Sequence, residues 1–415
     1  MSKVPAGWGV KTLGMICNGK LQTGPFGSQL YSYEYTEVGI PVLMPKDLIN
    51  CRANLTSAAK IPPERAIGLK KHTLKKGDLL FSRRGDVARF ALIEGNSVGA
   101  LCGTGCLKAS PSENYASEFL MYCLQLDSVK TWLEQNAVGQ TMLNMNTSIL
   151  SELPLFISNN KLEQERIAQI LSTWDKAIAT TEKLIGNSQQ QKKALMQSLL
   201  TGKKRLTGFE GEFKYLNFSD VVGIDQQNLK NKTADDFSFK YISLTDVKFG
   251  VIEKSLEYIS FKNAPSRARR ILKEGDILLA TVRPNLQGFA RVKKEHGEMI
   301  ASTGFSVLSP KKSFCSDYIF HYLYSDHLTA QIDSLVVGSN YPAINSSDVA
   351  NLKIFCPEYN EQVEIAKVLN NCLDTIENMQ KKLAFLKQEK AALMQQLLTG
   401  KRRVKIDTTE ECMDA

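Results

Sequence analysis

The sequence predicts an α+β protein with an internal repeat of two copies. It should form two mixed α/β domains with twisted sheets, separated by two long helices that form an antiparallel coiled coil. The main observation is a repeat: segment 162–205 returns as 360–403, at a constant offset of 198 residues and without a gap. In both copies apolar residues recur three and four positions apart, as in a heptad seam. Outside the copies, short β-branched and aromatic runs are bounded by Gly, Pro, Asn and Asp.

These patterns divide the 415 residues into five parts. Two copies are too few for a solenoid, so a pseudo-two-fold molecule is expected. The predicted parts are a first domain (1–155), a first long helix (156–205), a second domain (206–355), a second long helix (356–403) and an acidic tail (404–415) that is expected to be disordered.

Each large domain contains both predicted strands and a predicted helical region. The strand-like runs include GIPVLMP (39–45), GDLLFS (77–82), FKYISLTDV (239–247) and GDILLATV (275–282). A helical stretch lies near the end of each domain, at 117–134 and 316–335.

The repeated segments are predicted to be helices because they are rich in Ala, Leu, Gln, Lys and Glu and contain no proline. Gly202 and Gly400 follow the last apolar residues, where glycine commonly ends a helix. Lys192 and Lys390 fall on the same seam position. A lysine there either fixes register and partner choice or extends its ammonium out of the seam, and the sequence leaves both open.

The net charge of +9 is a mild excess, which argues against a chain that binds polyanions over its whole surface. Local basic clusters must therefore make any contact with nucleic acid, although any one cluster taken alone more often lines a solvated face. The clusters are Lys70/Lys71 with Lys75/Lys76, Arg83/Arg84, residues 203–205, Arg267/Arg269/Arg270 and residues 401–403.

A cytoplasmic protein is expected. No apolar run approaches the roughly 18 residues needed to cross a bilayer, and the first residues show no signal-peptide pattern. The nine cysteines are odd in number and form no framework, so reduced thiols are expected. Cys102 and Cys106 could begin a zinc site, but no second Cys/His pair follows at ligand spacing, and no metal is expected.

The sequence lacks the motifs of DNA adenine methyltransferases and of P-loop enzymes that use ATP. A DNA adenine methyltransferase needs an Asp/Asn-Pro-Pro-aromatic motif, and the pair Pro62 and Pro63 lacks both its polar and its aromatic neighbour. A P-loop needs a hydroxyl after its lysine, where GMICNGKL (14–21) has Leu21. The chain is therefore expected not to be an enzyme and to bind no cofactor itself.

Several segments in order resemble the specificity subunits of type I restriction-modification enzymes. The opening PxGW…LG uses Pro5, Gly7, Trp8, Leu13 and Gly14. It is followed by TGPFGSQL (23–30), Tyr35, GIPVLMPKDL (39–48), GDLLFSRRG (77–85), the GQTMLNMN and GSNYPAIN segments and the doubled LLTGK ends. The resemblance covers the whole chain. The second domain departs from it, because it has no GPFGS and FEGEFKYLNFSDVVG (209–223) replaces the PxGW opening.

The resemblance implies a subunit that recognises double-stranded DNA and does no chemistry itself. Each large domain would be a target-recognition domain that reads one half of a split site, and the helices would act as a ruler for the unspecified spacer. Methylation subunits, two of them, would bind along the helices, and restriction subunits would join that complex. These partners would use S-adenosylmethionine, ATP and magnesium to methylate adenines or cut DNA.

DNA reading needs Arg or Lys on phosphates and Arg, Asn, Gln or Ser aimed at base edges. The best candidates lie in short loops after predicted strands, although each could equally be an ordinary surface residue. In the first domain they are Gln29, Lys46, Arg83, Arg84, Gln140 and Asn144. In the second they are Arg283, Asn285, Gln287, Asn340 and Tyr341, with Arg267, Arg269 and Arg270 on phosphates.

Two other classes of protein compete with this interpretation. A non-catalytic coiled-coil scaffold with protein-binding globular domains would show no salt-dependent affinity for DNA. A nucleic-acid enzyme of another type would turn over its substrate alone.

Overall fold

The computed structural model describes residues 5–25, 29–139, 142–248, 250–252, 256–336 and 342–406. The candidates Gln140, Asn340 and Tyr341 lie outside these ranges, as does 407–415, most of the expected acidic tail. The chain forms two compact units, one made of 1–180 with 383–415 and the other of 181–382. Each unit thus combines one mixed domain with part of each long helix.

The described part of the first unit contains eleven strands and five short helices, followed by a long helix. The strands are β1 (Trp8–Thr12), β2 (Leu21–Thr23), β3 (Ile40–Leu43), β4 (Leu48–Ile49), β5 (Cys51–Ala53), β6 (Ala59–Ile61), β7 (Leu79–Ser82), β8 (Phe90–Leu92), β9 (Leu101–Cys102), β10 (Cys106–Ala109) and β11 (Pro154–Ser158). The helices are α1 (Leu13–Ile16), α2 (Pro63–Ile67), α3 (Ser117–Cys123), α4 (Asp127–Asn136), α5 (Thr147–Ser151) and the start of α6 (Lys161–Leu199). The sheets have the orders β2-β10-β7-β8-β5-β4, β6-β3-β9 and β1-β11.

Strand β7 is buried along its whole length because both faces of its sheet are covered. Leu79 and Phe81 pack with Phe119 of α3 in one core cluster, and Leu80 packs with Leu43 of β3 in another. A strand covered on both faces carries a continuous apolar run rather than alternating polar residues. This explains the sequence LLFS.

The described part of the second unit has the same kinds of element. The strands are β12 (Lys214–Asn217), β13 (Val222–Ile224), β14 (Ser238–Ile242), β15 (Val247–Lys248), β16 (Val251–Ile252), β17 (Tyr258–Ser260), β18 (Ala268–Ile271), β19 (Ile277–Ala280), β20 (Phe289–Arg291), β21 (Ile300–Ser302), β22 (Phe305–Pro310) and β23 (Lys353–Cys356). The helices are α7 (Phe218–Val221), α8 (Ser316–Tyr322), α9 (Asp326–Leu335), α10 (Ser346–Asn351) and the start of α11 (Tyr359–Leu397). The sheets have the orders β13-β22-β19-β20, β17-β14-β21-β18, β12-β23 and β15-β16.

The repeat extends to single hydrogen bonds. Before β7, the Asp78 carboxylate accepts the Ser110 hydroxyl at 2.6 Å and the backbone N–H three residues earlier at 2.8 Å. Before β19, Asp276 accepts the Ser309 hydroxyl at 2.7 Å and the backbone N–H three residues earlier at 2.9 Å. The two domains therefore share one local architecture despite their different sequences.

Helices α6 and α11 each span 39 residues, a length of about 60 Å. Contacts inside each unit show that they run antiparallel. In the first unit, Asp175 of α6 contacts Lys390 of α11 at 2.6 Å, and Glu163 at the start of α6 binds a residue beyond the end of α11. In the second unit, the Ser188 hydroxyl lies 4.0 Å from the Met379 sulfur.

A buried carboxylate at the start of each long helix binds an arginine that follows the end of the other. Glu163 accepts Arg403 Nε at 2.5 Å and Nη2 at 3.1 Å, and Glu361 accepts Arg205 Nε at 2.7 Å and Nη2 at 2.5 Å. Both glutamates are fully buried. One arginine of each basic segment, Arg205 of 203–205 and Arg403 of 401–403, thus holds the helix ends together.

The seam lysine of the first unit stays inside the seam. Lys390 Nζ lies 2.6 Å from Asp175 Oδ1, and the Tyr122 hydroxyl donates to Asp175 Oδ2 at 2.7 Å. The ammonium also lies 5.4 Å from the centre of the Tyr122 ring. Of the two possibilities left open by the sequence, these contacts favour a role for Lys390 in fixing helix register.

Candidate nucleic-acid interface

Three loops of the first unit meet at one edge of the six-stranded sheet. Strand β7 ends at Ser82, directly opposite Cys106, where β10 begins. In the turn that follows β7, the Arg83 N–H donates to the Gly105 carbonyl at 2.7 Å, and the Met145 N–H donates to the Arg83 carbonyl at 2.8 Å. The turn after β7, the turn before β10 and the segment before α5 therefore form one continuous edge, which we call the first reading edge.

Three candidate side chains lie on the first reading edge. Arg84 is exposed and pairs through its backbone with Asn144, while Arg83 is half-buried. Arg83 Nε and Asn144 Oδ1 are buried and have no hydrogen-bond partner among the described residues. An unmet donor or acceptor costs about 1–3 kcal/mol, so native proteins rarely keep one without a reason. Both atoms are buried, so the exposed Arg84 is the member of this group that a bound molecule meets directly.

Lys46 also lies at the first reading edge, whereas Gln29 is held elsewhere. Lys46 is exposed on a 3₁₀ turn whose first residue, Pro45, would lie 3.4 Å from a Cβ placed on Gly105. The backbone carbonyl of Gln29 accepts a bond from Arg65 of α2. The structure thus brings Lys46 together with the arginines but does not place Gln29 with them.

The second unit repeats the first reading edge with different side chains. The Thr281 N–H donates to Gly304 at 2.8 Å, and the Ile344 N–H donates to the Thr281 carbonyl at 2.9 Å. Thr281 therefore occupies the position of Arg83. The backbone bridge between Val282 and Ala343 corresponds to the bridge between Arg84 and Asn144, so these residues occupy equivalent positions. We call this the second reading edge.

Arg283 corresponds in space to a glycine of the first unit. Its N–H donates to the Pro342 carbonyl at 2.7 Å, as the Gly85 N–H donates to Leu143 at 3.0 Å. Both have left-handed backbones, with φ of 51° for Arg283 and 74° for Gly85. The segments SRR (82–84) and TVR (281–283) look similar but present their arginines at different positions. The constant offset of 198 residues in the sequence already indicates this, because it aligns Arg283 with Gly85.

A cleft of about 800 Å³ lies at the second reading edge and contains two candidate arginines. Arg283 and Arg267 line it, and the Thr303 N–H, which donates to the Arg267 carbonyl at 2.8 Å, fixes the loop that carries Arg267. Lys248 also lines this cleft and was not among the sequence candidates. It directly follows the strand-like run 239–247, so the rule that selected the others would have found it.

Asn285 and Gln287 follow Arg283 in a short 3₁₀ turn. Asn285 is exposed. Gln287 is half-buried, has a left-handed backbone with φ of 52°, and donates through Nε2 to the Thr329 hydroxyl at 3.4 Å. Asn285 is therefore the more accessible of the two.

Arg269 and Arg270 have partners within the second unit. Arg270 Nη2 lies 2.9 Å from Asp225 Oδ2, and its Nη1 donates to Asn228 Oδ1 at 3.0 Å. The Arg269 guanidinium lies 5.0 Å from the centre of the Phe261 ring. Either would have to leave these contacts to bind a phosphate, so Arg267 is the strongest candidate of the three.

The described residues show neither a metal site nor a membrane-spanning helix. No group of three or more His, Cys, Asp or Glu side chains is placed to hold a metal there. Burial raises the pKa of the Cys102 thiol to about 12, which keeps it protonated at neutral pH. Within the same residues, no helix is both long and apolar enough to cross a membrane.

The fold consists of two similar domains that each present a reading edge. Comparison of this sequence with known protein families identifies the class of protein to which such a fold belongs. The profile of the family described as type I restriction modification DNA specificity domain matches residues 5–187 and 210–388. This chain belongs to that family, whose members are specificity subunits rather than catalytic ones. The two matched ranges correspond to the two copies of the repeat.

Individual relatives are distant but cover nearly the whole chain. The putative type I restriction enzyme MjaX specificity subunit of Methanocaldococcus jannaschii is 24% identical over 429 residues, covering 98% of this chain and 96% of that protein. The MjaIX specificity subunit of the same organism is 24% identical over 437 residues, covering 97% and 95%.

Solved structures of such subunits have the same fold. The type I S subunit from M. genitalium superposes with a TM-score of 0.61 at 16% identity, covering 95% of this chain and 97% of that one. A chain solved in a study of complex assembly and conformational transition of the type I R-M system gives 0.58 at 17% identity, covering 97% and 100%. The predicted fold class, two mixed domains with two long antiparallel helices in a pseudo-repeat, is confirmed.

Proposed function

We propose that this chain is the DNA sequence-recognition subunit of a type I restriction-modification complex. Each unit reads one half of a bipartite target, and partner subunits carry out adenine methylation or restriction. Membership of the specificity family supports this function, and the observation that carries the proposed site is that Arg83, Arg84 and Asn144 meet at the first reading edge. Arginine and asparagine side chains are among those that base-edge readout uses.

The two half-sites should differ in sequence. Arg83, Arg84 and Asn144 are matched in the second unit by Thr281, Val282 and Ala343, of which only Thr281 has a side chain that can form hydrogen bonds. Because the arginines of the second unit stand at other positions around its cleft, the same base pattern would not fit both edges.

The partners follow from this function. Two methylation subunits would bind the long helices, and restriction subunits would join them. S-adenosylmethionine, ATP and magnesium would be used by those partners, in the cytoplasm, and none would be bound by this chain. The scaffold alternative has no observation in its favour beyond the helices that both functions share.

The test is a map of methylated adenines in a host that carries this chain with its methylation subunits. We expect one bipartite motif that disappears when this chain is omitted. Replacing Arg83 with Met should relax or weaken recognition of one half-site only, by about 1–3 kcal/mol at one position. Arg283→Met is the matched control, and it should affect the other half-site. Equal effects of either variant on both half-sites, or methylation by the isolated chain, would refute the proposal.

A further inference from the structure

A basic cleft of the second unit lies beside the long helix α6. Its volume is about 690 Å³, within the range of small-molecule sites. It is lined by five cationic side chains and only two carboxylates, Glu295 and Glu377. The cations are Lys192, Lys193, Lys248, Arg291 and Lys293. Arg291 and Lys193 pair with carboxylates outside the lining, Asp317 at 2.7 Å and Asp326 at 3.9 Å, so the excess positive charge that favours an anionic ligand comes from the remaining lysines.

Lys192 distinguishes this cleft from the equivalent place in the first unit. It stands on the seam position that Lys390 occupies there, but the residue that corresponds to Asp175 is Leu373. Lys192 therefore lacks the carboxylate that lies 2.6 Å from Lys390, and it has no ion pair among the described residues. A half-buried ammonium without a counter-ion is unfavourable, and a bound anion would remove that cost.

Arg291 is fixed in position near this lysine. Its Nη1 donates to Asp317 at 2.7 Å and to Asn370 at 2.8 Å, and its guanidinium lies 4.8 Å from the centre of the Phe320 ring. Burial, with a smaller effect of the positive charge of Arg291, lowers the pKa of Lys192. Two cations that repel each other in a recessed site are stabilised most by a group with several charged oxygens.

We propose that this cleft binds a phosphate-bearing small molecule of about mononucleotide size, in the second unit and not in the first. The cations hold the phosphate, and Val251, Ile252 and Tyr324 form a less polar wall for the rest of the ligand. Lys248 also lines the cleft at the second reading edge, so duplex DNA is the competing occupant that the experiment must separate. This inference does not depend on the proposed DNA recognition.

The experiment measures binding of pyrophosphate, AMP and ATP to the full-length chain by calorimetry, with chloride added to match ionic strength. Lys192→Gln removes the unpaired charge. Leu373→Asp keeps the lysine but supplies the carboxylate found in the first unit, and it should compete with the ligand. Lys183→Gln removes an exposed lysine of the same helix that does not line the cleft. We expect Kd to rise tenfold or more in the first two variants and to stay unchanged in the third.

Each other outcome would overturn the inference. Wild-type protein that binds none of the three probes more tightly than about 1 mM has no such site. Equal affinity of wild type and Leu373→Asp would mean that the probes bind elsewhere, and this variant decides the matter if Lys192→Gln does not fold. If only duplex DNA without target half-sites binds in a manner that depends on Lys192, the cleft serves DNA rather than a small molecule.

Discussion

Replacing Arg403 with methionine should destabilise the first unit and leave the second unchanged. The fully buried Glu163 carboxylate receives two bonds from Arg403, at 2.5 and 3.1 Å, one from Trp8 at 3.1 Å and one from Ser158 at 2.5 Å. Removing one partner of a buried ion pair costs about 3–5 kcal/mol. Since Arg403 is itself 47% exposed and two neutral donors remain, we expect a loss near the lower limit, about 3 kcal/mol.

The positions of the tryptophans allow the two units to be followed separately. All three tryptophans, Trp8, Trp132 and Trp174, belong to the first unit. Urea unfolding monitored by tryptophan fluorescence therefore reports on that unit, while far-UV circular dichroism reports on both. Arg205→Met is the matched control: it breaks the equivalent pair in the second unit and should shift the circular dichroism transition while leaving the fluorescence transition in place.

A companion substitution tests the physical reason. Glu163→Gln combined with Arg403→Met removes the unpaired charge, so the double variant should be more stable than Arg403→Met alone. A fluorescence transition that moves by less than about 1 kcal/mol in Arg403→Met would show that water or the two neutral donors satisfy Glu163. The pair would then not be what holds the helix ends together.

Three further predictions concern the helices. One heptad is inserted at 186–191 of α6 and another at the equivalent 384–389 of α11, which keeps the apolar seam on the same face and lengthens each helix by about 10 Å. Mapped half-sites should then lie about three base pairs further apart. An unchanged spacer with full activity would show that the helices do not set the spacer length. Lys390→Met should cost about 1–3 kcal/mol in fluorescence-detected unfolding, and adding Asp175→Leu, the residue type of the second unit, should restore stability. Burial lowers the pKa of His321 from 6.5 to about 4, so between these values only the unfolded chain takes up the proton. The contribution of His321 to stability should therefore fall by about 2 kcal/mol from pH 7 to pH 5. Burial lowers the pKa of His72 in the first unit as well, so the contribution of His321 is measured as the difference in stability, followed by circular dichroism, between wild type and His321→Gln.

The repeat and the heptad pattern predicted the fold because both are properties of the chain itself. The two long helices need only periodic apolar residues and a terminating glycine, and both signals are present in the sequence. Finer breaks were not predictable in the same way. The helical stretch 117–134 is two helices, α3 and α4, separated at Leu124–Leu126. No glycine or proline marks that break, because packing rather than local preference produces it.

The candidate site was predictable to the level of the loop but not of the side chain. The rule of polar residues after strands selected Arg83, Arg84 and Asn144, which the structure brings together. It also selected Arg270, whose partner Asp225 lies 45 positions earlier in the chain. A pairing of that kind depends on how the strands are arranged, and nothing near Arg270 in the sequence indicates it.

The arrangement of the first unit has a consequence for the order in which the protein is made. Its core contains Leu397 and Leu398, and its Glu163 binds Arg403. These residues of the first unit are synthesised only after the whole of residues 181–382, which form the second unit. At about 5–20 residues per second, a ribosome needs roughly 10–40 s for those intervening residues. During that time the N-terminal domain has an apolar gap where the end of α11 will pack, whereas the second unit uses one continuous stretch of chain. A stop codon just after residue 382 should therefore damage the domain made first and leave the domain made last intact.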